Sequence, residues 1–259
     1  MILASWNVNS IKVRLPNVLK YLNDYKPDVL VLQETKVVDD AFPSDVLRSA
    51  GYHSVYCGQK TYNGVAIITK KEPSSHLLNP VYLDREEMRS IVIEYEDVTI
   101  LNVYVVNGKS VDSDKYQYKL DWLQALYTYS SKTLSKTNKF VILGDFNIAP
   151  SDNDVPDPNS SKNQILCSDP ERESLKKLKD LGLFDLFNKF DFPKNTYTWW
   201  DYRAGCFHRD IGYRIDLILA TKTIADKCSD YFIDKDTRHK SWCPDEPRTS
   251  DHAPVRIII

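Results

Sequence analysis

A carboxylate and a carboxamide two residues apart, Asp145 and Asn147, follow directly on the apolar run Phe140-Val141-Ile142-Leu143. A buried strand that ends this way delivers both polar heads to the rim of a sheet. Two further apolar runs end similarly near the N-terminus: Ile2 to Trp6 leads into Asn7, and Val29 to Leu32 leads into Gln33-Glu34. At the far end, Ser250-Asp251-His252 precedes the closing run Val255 to Ile259. Asn, Glu, Asp and His gathered at strand ends from distant segments suit metal-assisted hydrolysis of a phosphate ester. That reaction needs a cation on the non-bridging oxygens, a deprotonated water in line, and help for the leaving oxygen.

Each of these residues also has a plainer reading. Glu34 suits a hard cation such as Mg²⁺, which takes carboxylate oxygens; taken alone it reads better as a solvated carboxylate. Asn7 orients Glu34 or a phosphate, or is a turn residue. Of Asp145 and Asn147, one can accept a proton from water while the other donates to phosphate; the alternative is an Asx-type turn. Asp216 lies inside the apolar stretch Arg214-Ile215-Asp216-Leu217-Ile218-Leu219 and needs a partner, because an unpaired buried carboxylate is costly. His252 is one such partner, leaving its second ring nitrogen for substrate. Arg214 or Arg203 is the structural alternative, and periodicity does not choose between them.

The other histidines, His53, His76, His208 and His239, show no zinc-ligand spacing. No G-x-S-x-G element and no Gly-rich phosphate loop occurs among the 8 glycines. From Thr198-Trp199-Trp200-Asp201-Tyr202-Arg203 to Tyr213-Arg214 the chain interleaves aromatics with cations, as a strand-handling groove requires; core aromatics with flanking solvated charge is the commoner outcome. Lys109, Lys115 and Lys119 form a weaker basic cluster that a solvated helix face explains almost as well.

Composition narrows the field. At 259 residues the chain has room for one large domain or two fused halves, and 42% hydrophobic with 27% charged residues is ordinary for a soluble globular protein. With a net charge of -2, no global positive field draws it to nucleic acid, so a polyanion contact must be a local patch. Five widely spaced cysteines without a C-x-x-C pair fit a reducing, cytoplasmic setting. The strand pattern begins at Ile2, which leaves no room for a signal peptide, and no run approaches the roughly 20 residues of a membrane helix.

Positioning the polar residues falls to alternating elements. Strands are expected at Ile2 to Trp6, Val29 to Leu32, Tyr52 to Cys57, Gly64 to Thr69, Ser90 to Tyr95, Val98 to Val105 and Phe140 to Leu143. Others are expected near Tyr197, Ile215 to Ala220, Tyr231 and Val255 to Ile259. Helices are expected from Arg14 to Tyr25, with Pro16 in the first turn, and from Ser44 to Ala50. Two more run from an Ser113 cap to about Lys132, and from Glu171 to Leu181 before Gly182. Two halves, about 1–135 and 136–259, each mix strands with helices, which suggests an α/β protein of two packed sheets with helices outside. The polar stretch from Ser151 to Pro170 reads as a rim loop or a mere surface excursion.

With these residues in hand, the chain resembles the exonuclease III family of apurinic/apyrimidinic endonucleases. The resemblance spans nearly the whole chain. It is carried in family order by Ser5-Trp6-Asn7-Val8-Asn9, Leu32-Gln33-Glu34-Thr35-Lys36, Asn102-Val103-Tyr104, Gly144-Asp145-Phe146-Asn147, the Thr198 to Arg203 segment, Arg214-Ile215-Asp216 and Ser250-Asp251-His252-Ala253-Pro254-Val255. It implies one endonuclease/exonuclease/phosphatase domain over 1–259, a four-layer α/β sandwich of two stacked mixed β-sheets flanked by helices. It implies Mg²⁺-dependent incision 5′ to abasic sites, with Mn²⁺ as a substitute, and 3′→5′ removal of nucleotides or blocking groups from duplex DNA. The expected partner is double-stranded DNA with abasic sites or 3′ ends, handled by a cytoplasmic, nucleoid-associated monomer with no membrane partner.

By motif, the resemblance makes Glu34 the main metal ligand, with Asn7 and Asp251 nearby. Asp145 would position or deprotonate the attacking water, and Asn147 and Tyr104 would contact the scissile phosphate. His252, oriented by Asp216, would hydrogen-bond that phosphate; either Asp145 or His252 is the base. Trp199, Tyr213 and Ile215 would line a pocket for an extruded, baseless deoxyribose, while Arg89, Asn107 and Arg203 would meet the DNA. The chain departs from the pattern at Asn9, where some members carry aspartate, at Val106 in place of a proline, and at Tyr213 in place of an aliphatic or indole side chain. Rivals on the same scaffold are a sphingomyelinase, an inositol-phosphate phosphatase and a general deoxyribonuclease; a non-catalytic DNA-end-binding protein is a further one.

Overall fold

Wholly apolar runs such as Val29-Leu30-Val31-Leu32 have no polar face to offer water, so they must be covered on both sides. The computed structural model describes residues 1–85, 87–246 and 248–259. The first half of the chain holds β1 (Ile2–Asn7), α1 (Ile11–Tyr25), β2 (Val29–Gln33), α2 (Ser44–Ser49), β3 (His53–Cys57), β4 (Val65–Thr69), β5 (Ser75–Leu78), β6 (Ser90–Tyr95), β7 (Val98–Tyr104) and α3 (Asp114–Leu134). There follow β8 (Phe140–Asp145), α4 (Pro158–Ser161), α5 (Asp169–Asp180), β9 (Leu183–Asp185), β10 (Asp216–Thr221), α6 (Lys222–Ala225), β11 (Asp230–Ile233) and β12 (Val255–Ile258).

The strands form two six-stranded sheets, ordered β11-β12-β1-β2-β4-β3 and β5-β6-β7-β8-β10-β9. Both are mixed: β1–β2 and β7–β8 run parallel, and β1–β12 and β8–β10 antiparallel. Alternation along each strand splits its side chains between two cores. Val29 and Val31 of β2 join Val141 and Leu143 of β8 between the sheets. Leu30 and Leu32 face outward to meet Val18 and Leu22 of α1, and Phe140 and Ile142 meet Trp122 and Leu126 of α3. The result is the four-layer α/β sandwich. Each sheet draws on both halves of the chain, since β11 and β12 complete the first and β8 to β10 complete the second.

A polar lock crosses the inner core. Gln33 of β2 donates 2.7 Å to Asn102 Oδ1 of β7, and Asn102 Nδ2 donates 2.9 Å to the carbonyls of Leu32 and Ala66. All its members are buried.

Some elements differ from expectation. Helix α1 starts at Ile11, with Arg14 off helical geometry (φ -100°, ψ 15°) two residues before Pro16, whose ring and missing N–H disturb the ladder. Helix α3 is capped as expected, Tyr116 N donating 3.3 Å to Ser113 Oγ. Strands β5 and β9 were not foreseen, being short edge strands, and β5 is exposed throughout. The strand expected near Tyr197 is instead a pair of isolated bridges from Trp199 to Tyr213 and to His252. No helix of the described residues is long and apolar enough to cross a membrane, and the five cysteines are free thiols.

Gly144, next to Asp145, has φ +151°, and a Cβ there would lie 1.9 Å from the Val103 carbonyl oxygen on β7. Gly144→Ala must spread β7 from β8. A loss of about 2–3 kcal/mol in urea-unfolding free energy is expected, and native-like stability would contradict so close an approach.

Candidate active site

Strand register brings the polar ends to one level. Asn7 pairs with Gln33 across β1 and β2, Tyr104 with Asp145 across β7 and β8, and Asp145 with Asp216 across β8 and β10. Glu34 and Asn147 then turn the chain with φ of +53° and +50°. Glu34 is held in that turn by Ser10 N donating 2.7 Å to its carbonyl, and Thr35 N donates 3.0 Å to Gly64 O.

The side chains meet between the sheets. Asn7 Nδ2 donates 2.9 Å to Glu34 Oε1 and 2.9 Å to Asp145 Oδ2, joining a residue of the first sheet's rim to one of the second. Asp145 Oδ1 accepts from Asn147 N at 2.9 Å. Asn147 Nδ2 donates 2.9 Å to Val105 O, and its Oδ1 accepts from Asn107 Nδ2 at 3.0 Å. His252 Nδ1 lies 2.9 Å from Asp216 Oδ2, and its Nε2 lies 3.8 Å from Asp145 Oδ2. The partner of Asp216 is therefore His252. Arg214 is buried on Asp154 (2.6 Å) and Asp185 (3.0 Å) instead, and Arg203 pairs with Asp201.

Charge in so dry a site is strongly perturbed. Burial pulls the His252 imidazole toward neutrality, but the carboxylates of Asp216 and Asp145 outweigh it and push its pKa up to about 10. Asp145 is pushed up to about 7 by burial, then by the Asp216 and Glu34 charges, against the pull of His252 and the Asn7 hydrogen bond. Burial and the Glu34 carboxylate hold the Tyr104 hydroxyl protonated. Ligand atoms of Glu34, Asp145 and His252 all lie within 4.8 Å of one another. Two carboxylates sharing the protons of one carboxamide form an oxygen-rich, electronegative donor set, which fits a hard divalent cation.

Other expected residues take different positions. Asp251 stands outside that group; its Oδ1 accepts from Asn9 Nδ2 at 3.0 Å, and its Oδ2 from Trp199 Nε1 at 2.9 Å. Burial notwithstanding, His252 and these donors keep its carboxyl below the usual range. Arg203 is turned to solvent beside Asp201, with 88% of its side chain exposed, so it makes no contact with the group. Arg89 packs over the Tyr104 ring (4.8 Å) and donates to the Tyr104 carbonyl. Together with Asn107, Lys109 and Lys115 it lines a cleft of about 380 Å³. The cleft is locally basic, although Arg89 is itself paired with Glu87 at 2.6 Å. Trp199, Tyr213 and Ile215 form an apolar cluster with Leu166 and Ala149, and the Trp199 ring lies 6.4 Å from His252. The stretch after Asp145 is thus more than a surface excursion, since Leu166 and Cys167 are built into that cluster.

Two lysines escaped the residue-by-residue reading. Lys36 Nζ sits 2.8 Å from Glu34 Oε2 and 2.6 Å from Asn9 Oδ1; its signal was its place two residues after Glu34. Lys119, read with Lys109 and Lys115 as a weak basic cluster or else a solvated helix face, is instead wholly buried against Glu171.

With this geometry in place, comparison with known proteins is informative. The model of the Endonuclease/Exonuclease/phosphatase family matches residues 4–252. Exodeoxyribonuclease III of Haemophilus influenzae is 34% identical, the match covering 97% of each chain. A 3′ phosphatase from Neisseria, solved with a product DNA hairpin, superposes with a TM-score of 0.95 at 42% identity over 100% of this chain and 99% of that one. An AP endonuclease from Archaeoglobus fulgidus gives a TM-score of 0.93 at 37% identity, with the same coverage.

The His252–Asp216 pair generates a titration test. Asp216 supplies the largest upward pull on His252, so Asp216→Asn is expected to bring the imidazolium midpoint well below about 10, as read from the ring resonances by NMR. The sign for stability follows. His252 stabilises the fold fully below its ordinary value of about 6.5 and progressively less as pH rises through about 10, so in the variant the contribution is smaller and is gone by a lower pH. An unchanged midpoint would mean that Asp216 does not set the charge.

Proposed function

We propose that this chain, which belongs to the endonuclease/exonuclease/phosphatase family, is a metal-dependent DNA-repair phosphodiesterase that incises the backbone 5′ to abasic sites and clears nucleotides or blocking groups from 3′ ends of duplex DNA. The observation that carries this reading is the Asn7 carboxamide spanning Glu34 and Asp145, at 2.9 Å to each, beside the His252–Asp216 pair. An anion-binding half and a proton-accepting half face each other there.

The roles follow from the contacts. His252, cationic through neutral pH and fixed at Nδ1 by Asp216, turns Nε2 toward a phosphate oxygen as a donor. A group held protonated is a poor base, so Asp145 takes the proton of the attacking water. Its oxygens are oriented for that by Asn7 and by the Asn147 amide. The carboxamides of Asn147 and Asn107 and the Tyr104 hydroxyl hold the remaining phosphate oxygens. Glu34, with Asn7 and Asp145 adjoining, would hold a divalent cation such as Mg²⁺ or Mn²⁺, which when bound would supply Lewis-acid stabilisation of negative charge on the phosphate. Trp199, Tyr213 and Ile215 admit a baseless sugar and repel an intact base by collision, and the unstacked site costs less to extrude. That apolar wall beside the phosphate site favours a nucleotide over an inositol or lipid headgroup. Action as a cytoplasmic monomer on nucleoid DNA belongs to the same reading.

A duplex carrying one tetrahydrofuran abasic analogue, and a second ending in a 3′-phosphate, provide the test. Both should be processed with Mg²⁺, and EDTA should abolish processing. Glu34→Ala should lower the rate roughly 10²–10³-fold or more while circular dichroism stays native. Folded protein that turns over neither substrate would overturn the reading.

A further inference from the structure

Lys119 and Glu171 form an ion pair with both side chains fully buried, one helix layer behind the site. A charge so placed must be matched on every proton, and it is. The ammonium bonds Glu171 Oε1, the Asn147 carbonyl at 2.7 Å and the Asn107 carbonyl at 3.2 Å. Those carbonyls belong to the two residues whose carboxamides are joined at 3.0 Å on the site's surface. Glu171 in turn accepts from Leu166 N at 3.1 Å and from Ser168 N and Oγ at 2.9 and 2.6 Å, and the Leu166 carbonyl accepts from Ala149 N at 2.8 Å. One pair therefore fixes the loop after β7, the turn after β8 and the start of α5.

We propose that Lys119, backed by Glu171, is a positioning residue for phosphate recognition: its ammonium anchors the Asn107 and Asn147 backbones so that their carboxamides share a single orientation toward the scissile phosphate. This rests on the reading of Asn107 and Asn147 as phosphate contacts. The need is evident in the backbone. Asn147 is left-handed at φ +50°, and Gly108 and Lys109 follow Asn107 at +91° and +63°, so no helix or sheet ladder holds these carboxamides. A lysine offers three donors from one point, which lets a single side chain gather two carbonyls and a carboxylate.

The test is a mutant cycle on the abasic-site duplex. Lys119→Met with Glu171→Gln removes the pair without leaving either charge alone, and is expected to lower kcat/KM about a hundredfold, chiefly through kcat. Lys119→Arg, which keeps charge and donors, should recover most of that loss. In an Asn107→Ala/Asn147→Ala background the double change should cost threefold or less, because the groups it positions are gone. Losses that multiply independently in a folded protein would overturn the proposal. If the double variant does not fold, the same cycle with Glu171→Gln alone decides: a loss that disappears beside Asn107→Ala/Asn147→Ala supports it, and no loss or a multiplicative one overturns it. Asn147→Ala that leaves activity intact would instead defeat the phosphate reading itself, which the two single measurements distinguish.

Discussion

Two β-sheets stacked face to face share no backbone hydrogen bonds, yet the site needs atoms of both sheets within bonding distance. Apolar packing does not supply that precision, since interdigitated aliphatic side chains resist separation far better than sliding. The carboxamides of Gln33 and Asn102 supply it. Their directional bonds, 2.7 Å to each other and 2.9 Å to the carbonyls of Leu32 and Ala66, fix how far β2 stands along β7. Inside an apolar core such bonds are strong and their loss is costly, which makes the register they choose hard to leave. Asn7, at the rim, spans Glu34 and Asp145 only because that register is already set.

Once the level is fixed, electrostatics follows from geometry. Asp145 and Asp216 stand opposite each other across β8 and β10, and Glu34 approaches from the other sheet. Burial pulls the His252 ring toward neutrality, but the carboxylates of Asp216, Asp145 and Asp251 outweigh it and push its pKa up to about 10. Burial first, and then the same crowding by Asp216 and Glu34, raises Asp145 to about 7, leaving it well below His252 in proton affinity. The global charge of -2 has little bearing on this local balance, and cations are gathered at the cleft lined by Arg89, Lys109 and Lys115.

The sequence made the strand ends legible because burial on both faces leaves a wholly apolar run, and a polar residue after such a run has nowhere to go but the rim. That rule locates Asn7, Glu34, Asp145 and Asn147 and is local. The choice of His252 over Arg214 for Asp216 was not local. It depends on β10 pairing with β8 and on Arg214 being drawn to Asp154 and Asp185, contacts spanning 60 and 29 residues. Lys119 was missed for a related reason. Its spacing to Trp122, Leu123 and Leu126 puts it on the buried face of α3, but the carboxylate that makes a buried ammonium tolerable, Glu171, lies 52 residues away on α5. The edge strands β5 and β9 lacked the alternation that betrays a half-buried strand.

Local preference also yields to the site where the two conflict. Glu34 and Lys36 both adopt left-handed backbone, at φ +53° and +55°, a conformation costing roughly 1–2 kcal/mol for residues with a Cβ. Glycine would accept either turn without strain but would bring no carboxylate and no ammonium. The backbone is held in place by bonds from Ser10 N to the Glu34 carbonyl and from Lys36 N to Asn63 O. An extended continuation of β2 would keep Glu34 in the ladder, facing along the sheet. The left-handed turn lets it reach across to Asn7 and Asp145, so the local strain is the structural condition for two sheets to share one cluster of charge.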